Sequence, residues 1–431
     1  MNLKTDSANL NKIKRDGYIH NMISGLLNAF QSVIILMVLT RVLGIDAAGV
    51  FAIAYAVANL MLNIGKYGMR NFQATDVQLK YSSSEYFGSR LITTGIMIAA
   101  CIVYTFYLSN TLNYTTDKTL IIVFMCIWKC VDSVEDVYQG EFQRAGRLDL
   151  GAKEFTYRQL ISTLAFIIFG YLFHDLLIAT VATALISIIA ALILLMLAFK
   201  SYKCTSEENE TFKKIKINKS VANLLLECFP LFISMFLSFY LANGPKYAID
   251  TYMNSADQAK YGFIAMPVFV VGMLAQFLYR PILNDLAETF LNIQMNVFKK
   301  KVAKQVINVV LITIVVLIGG FLLGIPVLSF IYNTDLHSLK LEFMILLVGS
   351  GFNAYSNLML TILTLMRYTK GTIIAYSLAS LFLFMISGYA VKTAGLFGAS
   401  CTLLFGMLIL ALCLTILYIV GIKRSLNMTV G

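Results

Sequence analysis

The feature that most constrains this chain is its alternation of long apolar runs with short polar breaks. A helix needs about twenty apolar residues to cross the hydrocarbon core of a bilayer. On that measure the sequence predicts about twelve spans. They lie near residues 18–40, 47–69, 88–108, 118–139, 155–173, 176–199, 222–243, 259–283, 305–331, 340–366, 371–391 and 395–421. Backbone polar groups find no water in hydrocarbon, so runs of this length read as helices and the predicted class is an all-α polytopic membrane protein. Hydrophobic residues make up 58% of the 431 and charged residues 13%, about half the charge of a soluble domain. The longest hydrophilic stretch, "KSYKCTSEENETFKKIKINKS", falls after six spans. It divides the chain into lobes at 1–199 and 221–431, with 200–220 as a linker.

The net charge of +11 is spread between apolar runs rather than gathered on one soluble domain, so nucleic acid is not an expected partner. Most of the 34 Lys and Arg residues fall on one set of alternate loops and termini, Arg90 and Arg158 counted among them. The positive-inside rule then places both termini and the linker in the cytoplasm. Seven cysteines without framework spacing indicate no disulfide architecture. The polar, basic start "MNLKTDSANLNKIKRDGYIH" and the long run after it predict a retained first span rather than a cleaved signal. No enzyme motif stands out. Gly65-Lys66 lacks the rest of a phosphate-binding loop, and His20, His174 and His337 have no ligand spacing. No cofactor, metal site or catalytic residue is expected, and ATP-driven transport by this chain alone is excluded.

Several predicted spans carry polar residues at steps of three and four, which places them on one helix face. The second span has Asn59, Asn63, Lys66 and Arg70; the eighth has Gln276, Arg280 and Asn284; the tenth has Ser350, Asn353, Asn357, Thr361 and Thr364. In the fourth, within "MCIWKCVDSVEDVYQGEFQR", Lys129, Asp132, Asp136, Gln139 and Gln143 share a face, with Glu135 beside it. Each such charge costs roughly 2.5–3.5 kcal/mol at a helix centre on insertion scales. The fourth helix is therefore expected to face an interior, with Asp132 and Asp136 partly neutralising Lys129. Amide and hydroxyl stripes also serve simple helix packing, and Lys66, Arg70 and Arg280 can reach an interface by snorkelling. Lys246 follows Pro245 in "NGP" and is expected on an irregular segment. Asp132, Asp136 and Glu227 are the acids expected to be buried enough for ion coupling, the alternative being that they only balance Lys129.

Four stretches carry a family likeness. "TRVLGIDAAGVFAIAYAVANL" (40–60) and "DVYQGEFQRAGRLDLGAKE" (136–154) come from the first half. "CFPLFISMFLSFYLANGPKYAID" (228–250) and "RPILNDLAE" (280–288) come from the second. Together they resemble the Wzx-type polysaccharide flippases of the multidrug/oligosaccharidyl-lipid/polysaccharide exporter superfamily. The resemblance implies two six-helix lobes around a central cationic cavity. It also implies alternating access and a substrate of undecaprenyl-diphosphate-linked oligosaccharide, flipped across a bacterial cytoplasmic membrane. Membrane lipids, a polysaccharide polymerase and a chain-length regulator are the partners such a function would take. Lys66, Arg70, Lys129, Lys246 and Arg280 would hold the diphosphate, and Asn59, Asn63, Asn353 and Asn357 would face sugar hydroxyls.

Two other classes stay open. A multidrug or organic-cation exporter of the same superfamily would need a net acidic cavity, whereas the interior cations outnumber the interior acids. A non-transporting scaffold for polysaccharide assembly would need no polar stripes in both halves.

Overall fold

A computed structural model describes residues 3–76, 80–203, 217–279, 282–292, 294–366, 368 and 371–428. Among these residues no strand occurs. The helices are α1 (Leu3–Val42), α2 (Ile45–Lys66), α3 (Met69–Thr75), α4 (Ser83–Leu112), α5 (Thr116–Arg144), α6 (Leu148–Phe173), α7 (Leu176–Lys203) and α8 (Lys219–Tyr252). There follow α9 (Ser255–Ala265), α10 (Val268–Tyr279), α11 (Leu283–Leu291), α12 (Met295–Gly319), α13 (Ile325–Tyr332), α14 (Lys340–Leu365) and α15 (Thr372–Met428).

Among the described residues, ten helical stretches are long and apolar enough to cross a membrane. α5 is not among them because of its charges, although its 29 residues reach about 43 Å at 1.5 Å per residue. α15 counts once but runs for 57 residues and leaves helical geometry at Gly395 (φ 57, ψ −136), between the eleventh and twelfth predicted spans. Counting its two sides separately and including α5 reaches the expected twelve.

Three expectations of local structure are corrected. The second span ends at Lys66, because Tyr67 and Gly68 both turn left-handed (φ 53 and 66); Arg70 therefore lies on α3, off the Asn59–Asn63–Lys66 stripe. The eighth span is broken between α9 and α10 at Met266 and Pro267, where the missing N–H ends the ladder. Lys246 is not on an irregular segment, since α8 continues through Pro245 to Tyr252.

The chain divides into two compact units, Met1–Phe236 and Leu237–Gly431. In the first, α5 is the central helix and packs against α2, α3, α4, α6 and α7, while α1 lies along α6. Its aromatic core joins Phe51, Phe166 and Trp128 edge to face and stacked, with Phe51–Phe166 centroids 5.3 Å apart. In the second unit α14 packs against α15, α10 and α12, and Phe263 stacks on Tyr332 at 4.1 Å. A π-helical turn, Gly320–Gly324, joins α12 to α13. Large apolar side chains such as Val103, Phe106, Met196, Val315 and Phe384 are exposed on the outer faces. That is the surface hydrocarbon requires, and monomeric soluble proteins rarely expose apolar area on this scale.

Candidate functional site: a charged interior in the first unit

α5 begins at Thr115, whose side chain accepts from the Lys118 amide at 3.3 Å, and its buried face runs through Trp128, Lys129, Asp132, Ser133, Glu135, Asp136 and Gln139. Its amphipathicity is inverted relative to a soluble helix, with charges turned inward. Lys129 is 1% exposed and its ammonium lies 3.1 Å from Asp132 Oδ2. It also reaches Gln31 Oε1 of α1 at 3.4 Å and sits 4.8 Å from the Tyr55 ring centre. Gln31 passes the chain on to α6, donating to Gln159 Oε1 at 2.7 Å and to Thr163 Oγ1 at 3.0 Å.

The second cation at this place is Arg158 of α6, fully buried. It donates to Asp132 Oδ1 and to Ser187 Oγ of α7 at 3.1 Å, and its Nε lies 2.5 Å from Glu135 Oε1. Glu154, two turns before the middle of α6, is buried next to Glu135. One planar guanidinium thus ties α5, α6 and α7 together, a geometry suited to Arg and not to Lys.

One turn further along α5, Asp136 accepts from Arg90 of α4 at 2.7 Å. This corrects the expectation that Asp136 neutralises Lys129: its partner is Arg90. The same guanidinium donates to the Gly65 carbonyl at 2.5 Å, joined there by Thr93 Oγ1 at 2.8 Å. Gly65 permits this approach, because a Cβ there would stand 2.6 Å from Ser133 Oγ and 2.7 Å from Met97 Sδ. Beyond it, Arg70 donates to Gln139 Oε1 at 2.6 Å and to Gln143 at 3.3 Å. At the helix end Arg144 holds Glu141 at 2.9 Å, Ser83 Oγ at 2.6 Å and the Tyr81 carbonyl at 3.2 Å.

Arg90, Arg158 and Glu154 were not among the residues that sequence reasoning singled out. The two arginines counted there as loop charges; both are 0% exposed and belong to the interior. A signal was present for one pair: Glu154 and Arg158 are four residues apart at the start of an apolar helix, the spacing that sets two side chains on one face.

The remaining expected site residues are more scattered. Asn59 and Asn63 spend their side-chain N–H groups on carbonyls of their own helix, Tyr55 O and Asn59 O, both at 2.8 Å. Lys66 is half-buried, and its charge is felt at Asp132. Glu227 is corrected: it is exposed and pairs with Lys80 at 2.5 Å, not buried within the unit. In the second unit Lys246 is half-buried and donates to Asn243 Oδ1 at 3.0 Å, and the rings of Tyr240 and Tyr247 on the same helix stack on each other. Asn353 and Asn357 are half-buried on α14. Arg280 lies outside the described residues. The second unit also carries a half-open apolar pocket of about 400 Å³ along α12, α14 and α15, where Tyr355 Oη and Thr415 Oγ1 satisfy each other at 2.7 Å. It offers nothing to an anion.

What this arrangement can do chemically follows from its burial. Removing an ion from water costs several kcal/mol even after relaxation, so such charges persist only when tightly paired. Lys129 and Arg158 are consumed by carboxylates. Among the described residues, Lys66, Arg70 and Lys246 have no carboxylate partner within ion-pair distance; Arg70 donates to the amides of Gln139 and Gln143 and Lys246 to that of Asn243.

The family described as "Polysaccharide biosynthesis protein" matches residues 15–283. No curated protein sequence matches the chain. Among solved structures it is similar to the lipid II flippase MurJ in an inward closed conformation, at 14% identity and a TM-score of 0.70, covering 96% of this chain and 90% of that one. It is also similar to a multidrug resistance MATE family transporter of the MOP superfamily in its inward-facing conformation. There the identity is 11% and the TM-score 0.66, with 94% of this chain and 95% of that one covered. A MOP superfamily transporter from Pyrococcus furiosus, described as having a binding pocket of reversed polarity, aligns at 12% identity with a TM-score of 0.59. The alignment covers 97% of each chain. At such identities the likeness is one of fold. The family match spans more than half of the residues, and the chain, a multi-pass membrane protein with the fold of MOP superfamily transporters, belongs to the polysaccharide biosynthesis protein family.

Proposed function

We propose that this protein is a flippase carrying undecaprenyl-diphosphate-linked oligosaccharide repeat units from the inner to the outer leaflet of a bacterial cytoplasmic membrane. It works by alternating access, with both termini in the cytoplasm. The observation that carries this reading is that each unit holds half-buried cations with no carboxylate in ion-pair distance among the described residues: Lys66 and Arg70 in the first, Arg70 donating to Gln139 and Gln143, and Lys246 in the second, donating to Asn243. A diphosphate entering low dielectric needs charge-assisted donors, and amides suit sugar hydroxyls. Stacked aromatic pairs, Tyr67 on Phe232 and Tyr240 on Tyr247, add faces for sugar rings in each unit. The family description points the same way, and one of the fold neighbours is a lipid II flippase.

The test is flipping of a fluorescent lipid-diphosphate-linked oligosaccharide in proteoliposomes. Loss of one buried charge-assisted contact to phosphate costs about 2–5 kcal/mol, thirtyfold or more in binding. Lys66→Gln, Arg70→Gln and Lys246→Gln are each expected to lower binding by that factor. Lys299→Gln and Lys300→Gln, at exposed positions, serve as controls and retain full activity. Equal tolerance at all five positions overturns the role of these cations, and export of a lipophilic organic cation in place of the lipid establishes the exporter reading instead.

A further inference from the structure

We propose that Glu135 and Glu154 share one proton, forming a proton-binding site at the contact of α5 with α6. In a flippase of the kind proposed above, on which this role rests, that site couples transport to the proton gradient. Four observations lead there. First, the site is closed: Lys129, Asp132, Glu135, Glu154 and Arg158 are all 3% exposed or less. Second, the formal charges do not balance, since three carboxyls face two cations.

Third, the Glu135 and Glu154 carboxyls stand within hydrogen-bonding reach of each other, yet neither oxygen of Glu154 has any N–H or O–H donor. Two carboxylates cannot hydrogen bond; one carboxylic acid and one carboxylate can. The proton that removes the excess charge is the same one that makes this bond, and it belongs to the pair rather than to either residue. Fourth, the cationic surroundings are asymmetric. Arg158 is engaged by Asp132 and Glu135, so Glu154 is the member without an ion-pair contact.

Among the described side chains, the neighbouring elements supply no further counter-charge. α2 offers Lys66, half-buried and acting on Asp132, and Tyr55, whose ring faces Lys129. Arg90 of α4 is spent on Asp136, and Arg70 of α3 donates to Gln139 and Gln143. α7 contributes the Ser187 hydroxyl. α1 brings His20, whose carbonyl accepts from Thr156, and Asp16, which pairs with Lys153 at 2.9 Å. That partly exposed Asp16–Lys153 pair is next to Glu154 in sequence and marks the nearer outlet to water. A metal cation is the poorer occupant: no group of three or more ligating side chains occurs among the described residues, and a guanidinium already fills the approach to Glu135.

The step is a simple protonation. With the proton present, one O–H donates to the facing carboxylate. Its release to water leaves three carboxylates against Lys129 and Arg158, and the repulsion biases α5 against α6.

Infrared spectroscopy of the purified full-length protein in lipid nanodiscs tests this. The wild type should show a protonated-carboxyl C=O band at neutral pH that shifts in D2O. The band should vanish in Glu154→Gln and in Glu135→Gln, where the amide N–H replaces the lost donor and keeps the pair bonded. In proteoliposomes an imposed proton gradient should change the wild-type flipping rate, while Glu154→Gln runs at its gradient-free rate. Absence of the band in the wild type overturns the proton site, and needs no variant to fold. A Glu154→Gln protein that answers the gradient as the wild type does overturns the coupling. Lipid flipping without the band leaves the flippase standing and the proton site refuted; the band without lipid flipping does the reverse.

Discussion

Arg90 of α4 donates to Asp136 of α5 at 2.7 Å, with the arginine side chain 0% and the aspartate side chain 8% exposed. A pair sealed to this degree is worth little against a well-packed apolar substitute but a great deal against half of itself. Arg90→Ala and Asp136→Ala should each lower stability by about 3–5 kcal/mol. The apolar double replacement, Arg90→Met with Asp136→Leu, should recover more than half of that loss. Thermal unfolding in detergent, read by intrinsic fluorescence, measures all three; a double variant no better than the singles shows that the Gly65 and Thr93 contacts, not the charges, matter.

Gly65 and Gly95 separate close packing from helix propensity. A methyl group at Gly65 meets Ser133 and Met97 below 3 Å, whereas one at Gly95 of α4 meets nothing within 4 Å. Gly65→Ala should destabilise by about 1–3 kcal/mol through overpacking, net of the roughly 1 kcal/mol that alanine gains in a helix. Gly95→Ala keeps only that gain and should raise the thermal midpoint. Equal midpoints for the two variants would show that α2 does not sit as close to α5 as described.

The twelve apolar runs were legible because hydrocarbon imposes one length and one composition on every span. The inward face of α5 was legible because threes and fours bring Lys129, Asp132 and Asp136 to one side. What the sequence could not assign was partnership. Asp136 is as near to Lys129 along the helix as its spacing suggested, yet it bonds to Arg90, which stands 46 positions away in the chain. Arg90 and Arg158 sit close enough to span ends to count as loop charges, and only tertiary packing shows that water does not reach them. Glu227 failed in the opposite direction: an acid inside an apolar run turned out to be on an exposed face, bonded to Lys80. Helix periodicity gives a face, and which faces meet depends on neighbours that no single helix specifies.

Asp76, between α3 and α4, accepts from the Lys80 and Tyr81 amides at 2.9 and 3.1 Å and from Tyr86 Oη at 3.0 Å. Burial alone would raise its pKa, but these three donors and the charge of Arg144 hold it below the ordinary carboxylate value. A depressed carboxyl contributes stability that is complete above its unfolded pKa, about 4, and is lost as pH falls through the lower folded value. Asp76→Asn should therefore unfold at a lower temperature than the wild type at pH 7, with the gap closing as pH falls below the ordinary carboxylate value. A gap that stays constant from pH 7 downward would mean that the turn is held by shape rather than by charge.

Arg158 offers the most demanding substitution, one that keeps the charge. Its guanidinium serves Asp132, Glu135 and the Ser187 hydroxyl from one rigid plane. A lysine ammonium is a single point on a longer, flexible stem and cannot reach all three. Arg158→Lys preserves the formal count of the buried cluster, so any loss reports geometry rather than charge. Each hydrogen bond to a charged group is worth about 1.5–3 kcal/mol net, and at least one is lost with its acceptor left buried. Arg158→Lys should therefore lower stability by about 2–4 kcal/mol, and Arg158→Gln by more, because a cation is then missing as well. Adding Glu135→Gln to Arg158→Lys removes the carboxylate left without its partner and should restore part of the loss, whereas the same glutamine alone should destabilise. Urea titration of the four variants and the wild type in detergent gives the comparison. A double variant weaker than Arg158→Lys alone would show that Glu135 is held by something other than Arg158.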